Sequence, residues 1–294
     1  MSLFPGFARR LVPLEGIDIH AVIGPRRDAP AVLLLHGYPQ THAIWHRVAP
    51  ALAARFNVVA SDLRGYGDSG KPPTDEHHVP YSKRAMARDQ LELMGALGHE
   101  RFFVVGHDRG GRVAHRLAVD HPGAVMRIAV LDIAPTLAMY AKTDDAFARA
   151  YWHWFFLIQP AFVPERLIGG DPRFYLRAKM AESHARGVFA PEAWAEYERC
   201  FTPGAVHASC EDYRAAATID LEHDRADLEA GRRVRAPLLA LWGAHGVVER
   251  CFDTLDEWRR VADDVRGRAL PSGHYIPEEV PELLIQELEK FFDE

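Results

Sequence analysis

The chain has 294 residues, 48% of them hydrophobic, enough to bury a large core in one α/β domain carrying an insertion, or in two domains, with nothing that suggests disorder. Its formal charge of −6 offers no basic footprint, so nucleic acid is excluded as a partner, and a small anionic substrate needs a local positive pocket set against the overall field. No apolar run approaches the roughly 20 residues of a membrane span, which excludes a membrane-embedded reading.

Ile17 to Ile23 alternates weakly and predicts an early strand, and Val32-Leu33-Leu34-Leu35 predicts a fully buried one. His36-Gly37-Tyr38-Pro39 then breaks the chain, and a loop in that place can offer a backbone N–H to a developing oxyanion. Trp45 to Leu52 predicts a short amphipathic helix and Phe56 to Ala60 another strand. Asp62 to Gly70 contains a G-x-G, but no helix opens after it and Lys71-Pro72-Pro73 continues as loop, so we read it as structural rather than nucleotide-binding. Ser82 is placed to cap a helix ending at Gly98.

Phe102-Phe103-Val104-Val105-Gly106-His107-Asp108-Arg109-Gly110-Gly111 follows, an apolar run, a turn bracketed by glycines, and then a helix reaching His121-Pro122. Val125 to Leu131 predicts the next buried strand, ending in Asp132. This alternation implies a mostly parallel sheet with ligands at the carboxyl ends of its strands. It stops at about Thr136, and to about Ala230 only helical pieces rich in aromatics are found, which predicts a helical cap inserted into an α/β domain. Alternation returns with Pro237 to Trp242, a helix around Leu255 to Val261, a short strand near Ala269-Leu270 and a final helix Glu282 to Phe292. The expected division is core 1–135, cap 136–230, core 231–294.

The turn at Asp108 has the pattern of the G-x-S-x-G nucleophile elbow with an aspartate at its tip. A carboxylate is already an anion and can displace a leaving group from carbon without losing a proton, so the expected chemistry is alkyl rather than acyl transfer. The resulting ester needs a water activated by a general base, and among 16 histidines His274 stands out, on a turn between the last strand and the last helix. An acid must orient that base; Asp132 is the better placed candidate and Glu249 the other. Arg109 and Arg112, three residues apart at the start of the helix, supply the local positive pocket and match a substrate carboxylate. Cys200, Cys210 and Cys251 are odd in number and in no metal-like spacing, and Met1 to Val12 has no apolar signal core, so a cytoplasmic protein without metal or organic cofactor is expected.

His36-Gly37-Tyr38-Pro39, Asp62 to Gly70, Gly106 to Arg112, Tyr151-Trp152-His153-Trp154 and Tyr213 to Ala217 together resemble the haloacetate dehalogenases of the α/β-hydrolase fold, the group that includes fluoroacetate dehalogenase. The resemblance runs over nearly the whole chain. It implies a triad of Asp108, His274 and Asp132, a carboxylate clamp of Arg109 and Arg112, and halide donors His153, Trp154 and Tyr213. Backbone N–H groups near Tyr38 and Arg109 would hold the oxyanion, and a homodimer is implied as well. One departure concerns the cap, where the family places a further tryptophan. Phe174 to Val188 contains none, and Ser183 or His184 falls at that place, which implies a wider or more polar pocket that favours chloroacetate, bromoacetate or larger 2-haloacids. The rival readings are an epoxide hydrolase, whose elbow commonly reads Gly-x-Asp-Trp-Gly, and a non-catalytic binder of small carboxylates on the same fold. A serine esterase is disfavoured because neither Ser69 nor Ser272 lies on an elbow.

Overall fold

The computed structural model describes residues 3–294, and these form an eight-stranded sheet flanked by helices. The strands are β1 (Ala8–Leu14), β2 (Ile17–Ile23), β3 (Ala31–Leu35), β4 (Asn57–Ser61), β5 (Phe102–His107), β6 (Val125–Leu131), β7 (Leu238–Gly243) and β8 (Val265–Leu270). Their spatial order is β1-β2-β4-β3-β5-β6-β7-β8. β1 and β2 join the sheet antiparallel, and from β4 to β8 every pairing is parallel.

The parallel strands are apolar almost throughout because both faces are covered. Along β3, Leu33 and Leu35 enter one core cluster while Val32 and Leu34 enter the other, and Val104 and Val105 divide likewise in β5. Fully burying each such side chain contributes roughly 1.5–3 kcal/mol, which fixes the register and centres β5 in the sheet. The carboxyl ends of β3, β5, β6 and β7 therefore open on one edge, where the loops with Tyr38, Asp108, Asp132 and Gly243 meet.

Two elements differ from the sequence expectation. β1 was not expected; it is an antiparallel edge strand with Arg9, Arg10 and Leu11 exposed, so it carries no apolar alternation. The helix expected over 45–52 is two pieces, a 3₁₀ turn His42–Arg47 and a helical turn Ala49–Leu52, with Pro50 opening the second. Ser82 does cap the helix Lys83–Ala96, its Oγ accepting from the Ala85 N–H at 3.2 Å. Asp62 is a buried structural hub that accepts from the His42 N–H and the Asp68 N–H, with His20 Nδ1 at 2.8 Å.

Between β6 and β7 the described chain is helical, from the helix Thr136–Ala141 to the helix Ile219–Glu229, and contains no strand. No helix among the described residues is long and apolar enough to cross a membrane. One buried carboxyl ties this helical segment to the sheet side. Glu278 accepts from Gln40 Nε2 at 2.6 Å and from the Tyr197 hydroxyl at 3.0 Å. Burial pushes the Glu278 carboxyl up to about 8, against the pull of those two bonds. Between an ordinary carboxylate value of about 4.3 and 8, the folded protein keeps a proton that the unfolded chain has released, so stability falls as pH rises through that window. Glu278→Gln removes the dependence. Its unfolding free energy, read by urea titration, is expected to match wild type at pH 5 and to exceed it at pH 9 by on the order of 1–3 kcal/mol.

Candidate active site

Asp108 sits between β5 and the helix Arg109–Asp120 with φ 48° and ψ −113°, a conformation that L-residues rarely adopt. The turn closes only because its bracketing residues lack side chains. A Cβ on Gly106 would lie 2.4 Å from the Gly110 carbonyl oxygen, and one on Gly110 would lie 2.4 Å from that of Leu35. Asp108 is buried, and its Oδ1 accepts from the Tyr38 backbone N–H at 2.9 Å. Burial pushes its carboxyl up, but His274, His107, Arg112 and Arg109 together outweigh that and hold it below the usual carboxylate value. Asp108 is an anion at neutral pH.

His274 lies on the loop after β8, and its Nδ1 is 2.6 Å from Asp132 Oδ2. A carboxylate only accepts, so Nδ1 carries the proton and Nε2 keeps its lone pair. Asp132 Oδ1 accepts a second bond from the Gly243 N–H at 2.9 Å, which orients the carboxylate from β7. Glu249, the other candidate acid, is instead hydrogen-bonded by the Trp242 indole N–H. Two groups that the sequence did not single out hold the His274 loop. His107 Nε2 donates to the His274 carbonyl at 2.8 Å, and burial, with help from His274, lowers His107 to about 3, so it stays neutral. Glu279 accepts from the N–H groups of Gly273 and Tyr275, both at 2.9 Å.

The two arginines differ. Arg109 is fully buried, and two sides of its fork are taken by Asp212, through Nε at 2.9 Å and Nη2 at 2.6 Å. Asp212 also accepts from the Tyr66 hydroxyl at 2.6 Å and pairs with Lys83. Arg112 has no carboxylate partner among the described residues. It donates to Thr136 Oγ1 at 2.9 Å and to the Ala134 carbonyl at 3.2 Å, and burial and the neighbouring Arg109 lower its pKa. Each arginine keeps one buried N–H without a protein partner, Nη1 on Arg109 and Nε on Arg112.

His153, Trp154 and Tyr213 meet these arginines. The Arg109 guanidinium lies 4.1 Å from the Tyr213 ring centre and that of Arg112 lies 4.7 Å from the Trp154 ring. His153 Nδ1, Trp154 Nε1 and the Tyr213 hydroxyl are buried and likewise have no protein partner. Burial drives His153 well below its ordinary value, so the ring is neutral. With the Tyr140 hydroxyl, whose ring packs on Trp154 at 5.1 Å, this makes six unpaired polar atoms in one cluster, where buried polar groups are nearly always satisfied. Of these six residues His153 lines the open cavity at the elbow, with Tyr38, Asp108, Lys179, Ser183 and His274 among the others, and the remaining five lie behind that lining.

A sequence profile described as the alpha/beta hydrolase fold matches residues 30–278. The chain belongs to the α/β-hydrolase fold family. Within it, the chain is 46% identical over 295 aligned residues to a fluoroacetate dehalogenase of Burkholderia sp, covering 99% of this hydrolase and 96% of that protein. It is 36% identical to the soluble epoxide hydrolase of Corynebacterium sp. strain C12, covering 89% of each. The crystal structure of ALR0039 from Nostoc sp PCC 7120 superposes with a TM-score of 0.94 at 53% identity, covering 97% of this chain and 98% of that one.

Asp212, which holds Arg109, and Lys179, which lines the cavity, were not singled out in the sequence. An acid directly before Tyr213 was the one signal for the first, since a buried Arg109 requires a counterion. Lys179 ends one helix and Ser183 lies in the next, so no periodicity marked the second. The cap tryptophan noted as absent has no substitute in Trp194, whose ring packs on His184 at 4.3 Å and on Phe189 at 5.5 Å.

Proposed function

We propose that this hydrolase removes halide from haloacetates, giving a 2-hydroxy acid and a halide ion through an ester on Asp108. The observation that carries the reading is the set of five buried, unpartnered polar atoms on Arg109, Arg112, His153, Trp154 and Tyr213. Two belong to cations suited to a carboxylate and three to groups suited to a departing anion. Helices 136–230 act as the cap that brings the last three over the elbow.

In the first step Asp108 Oδ2 attacks, because Oδ1 is already engaged by the Tyr38 N–H. The C–O bond forms as the carbon–halogen bond breaks, and the electron pair leaves on the halide. Fluoride is a poor leaving group unless donors replace its hydration shell as charge develops, and each preorganised donor is worth roughly 2.7–4 kcal/mol in that setting. In the second step His274 takes a proton from water, which attacks Cγ of Asp108. Charge then grows on Oδ1, where Tyr38 N–H is already bonded, and the backbone N–H of Arg109 is the second donor. Asp132 holds the His274 tautomer throughout. The three free thiols support a reducing, cytoplasmic setting, and the resemblance alone supports a homodimer.

Halide release from fluoroacetate and chloroacetate, measured beside diol formation from styrene oxide, tests the reading. Haloacetate turnover should dominate, and Asp108→Asn should lower it by about 10⁴-fold or more. Faster diol formation would favour an epoxide hydrolase, and tight binding with no product would favour a carboxylate binder.

A further inference from the structure

The cavity at Asp108 encloses about 270 Å³, just short of the roughly 300–1,000 Å³ of sites for drug-sized ligands but more than a two-carbon acid fills. With the substrate carboxylate on Arg109 and Arg112 and the halogen toward His153, Trp154 and Tyr213, Asp108 approaches the α-carbon opposite the halogen. The two remaining α-substituents are hydrogens in a haloacetate, so the volume past them goes unused by that substrate.

One wall of this volume carries a cation with nothing to bind. Lys179 ends the helix Pro172–Lys179, lines the cavity, and makes no hydrogen bond or ion pair among the described residues. Arg186, on the same wall, is already paired with Glu279 at 3.2 Å. Ser183 lines the cavity as Lys179 does. The Lys179 ammonium is lowered to about 8 by burial, with Asp108 pulling the other way, so it remains mostly charged at neutral pH.

Resting on the haloacetate reading above, we propose that Lys179 is a specificity-determining residue that binds a second carboxylate on the α-substituent, so that the pocket takes 2-halo dicarboxylic acids of the halosuccinate type. Lys179 supplies the charge and Ser183 supplies space and a hydroxyl donor. The reaction is unchanged in its bonds. Asp108 Oδ2 bonds to C2 as halide leaves with the electron pair. Water then adds to Cγ, the Cγ–Oδ2 bond breaks, and one water proton goes to the product hydroxyl and the other through His274 to solvent. The product is a 2-hydroxy dicarboxylate.

The test is calorimetric binding of succinate and butyrate, which carry no halogen and need no turnover, to wild type, Lys179→Met and Lys179→Arg. Halide release from 2-chlorosuccinate, 2-chlorobutyrate and chloroacetate is measured alongside. Wild type should bind succinate at least tenfold tighter than butyrate and show the same preference in kcat/KM between the chlorinated pair. Lys179→Met should bring both ratios to near one, and Lys179→Arg should keep part of them. No succinate preference in wild type, or a preference that survives in a folded Lys179→Met, overturns the proposal. Failure on chloroacetate alone strikes the haloacetate reading instead, because the succinate preference is read without it.

Discussion

Exposed to chloroacetate, His274→Ala is expected to gain the mass of one carboxymethyl group per chain and to release one halide, then stop. The two half-reactions make different demands. Alkylation needs Asp108 as an anion with Oδ2 free, and neither condition depends on His274 as a base; His274 is the largest pull on that carboxyl, but Arg112 and Arg109 still favour the anion without it. The adduct should therefore form at neutral pH, where a carboxylate with cations beside it is ionised. Hydrolysis needs a proton acceptor for water, and losing a positioned general base costs typically 10²–10⁴-fold. Asp132 in the variant still accepts from the Gly243 N–H, so its buried charge is not abandoned and the fold should survive. Intact-mass spectrometry with a circular-dichroism check on folding decides the matter. A folded His274→Ala whose mass does not change removes the role given to His274, and multiple turnover by it removes the ester intermediate.

What was readable in the chain divides by the range of the interactions involved. β3, β5 and β6 were legible because a strand buried on both faces needs an uninterrupted apolar run, and the elbow because only small residues fit where Gly110 meets the Leu35 carbonyl. β1 was not legible, since an exposed edge strand holding Arg9 and Arg10 is stabilised by its ladder to β2 rather than by buried side chains. At the site, the Asp108 position and the case for His274 and Asp132 came from local pattern. His153, Trp154 and Tyr213 would have passed as core aromatics without the family resemblance, and what now separates them from Tyr197, whose hydroxyl is bonded to Glu278, is that their unpaired polar atoms are grouped around Arg109 and Arg112. Asp212 had only its place before Tyr213 to mark it, because its bond to Arg109 spans 103 positions of sequence.

Asp212→Asn should be the most damaging single change outside the elbow. Asp212 is fully buried between Arg109, Lys83 and Tyr66, and those two cations hold its carboxyl far below the usual carboxylate range against the opposing effect of burial, so the folded state contains the full charge. The amide has the same shape but no charge, and it leaves Arg109 buried with no carboxylate at all, as Arg112 already is. Breaking a buried pair from one side typically costs about 3–5 kcal/mol, and the urea midpoint should fall accordingly. The functional consequence is separate from the loss of stability. Asp212 occupies Nε and Nη2 of Arg109, and this fixes the plane of the fork so that Nη1 is the atom left over for substrate. Released from that grip, Arg109 must be ordered by the substrate itself, so KM for chloroacetate should rise about tenfold, which is roughly 1.4 kcal/mol of binding, while kcat changes less. The comparison is made at a temperature where both proteins are folded. A merely structural Asp212 predicts lower stability with KM unchanged. Arg109→Lys should resemble Asp212→Asn in KM, since an ammonium cannot engage Asp212 on two sides and still present a donor in a fixed direction.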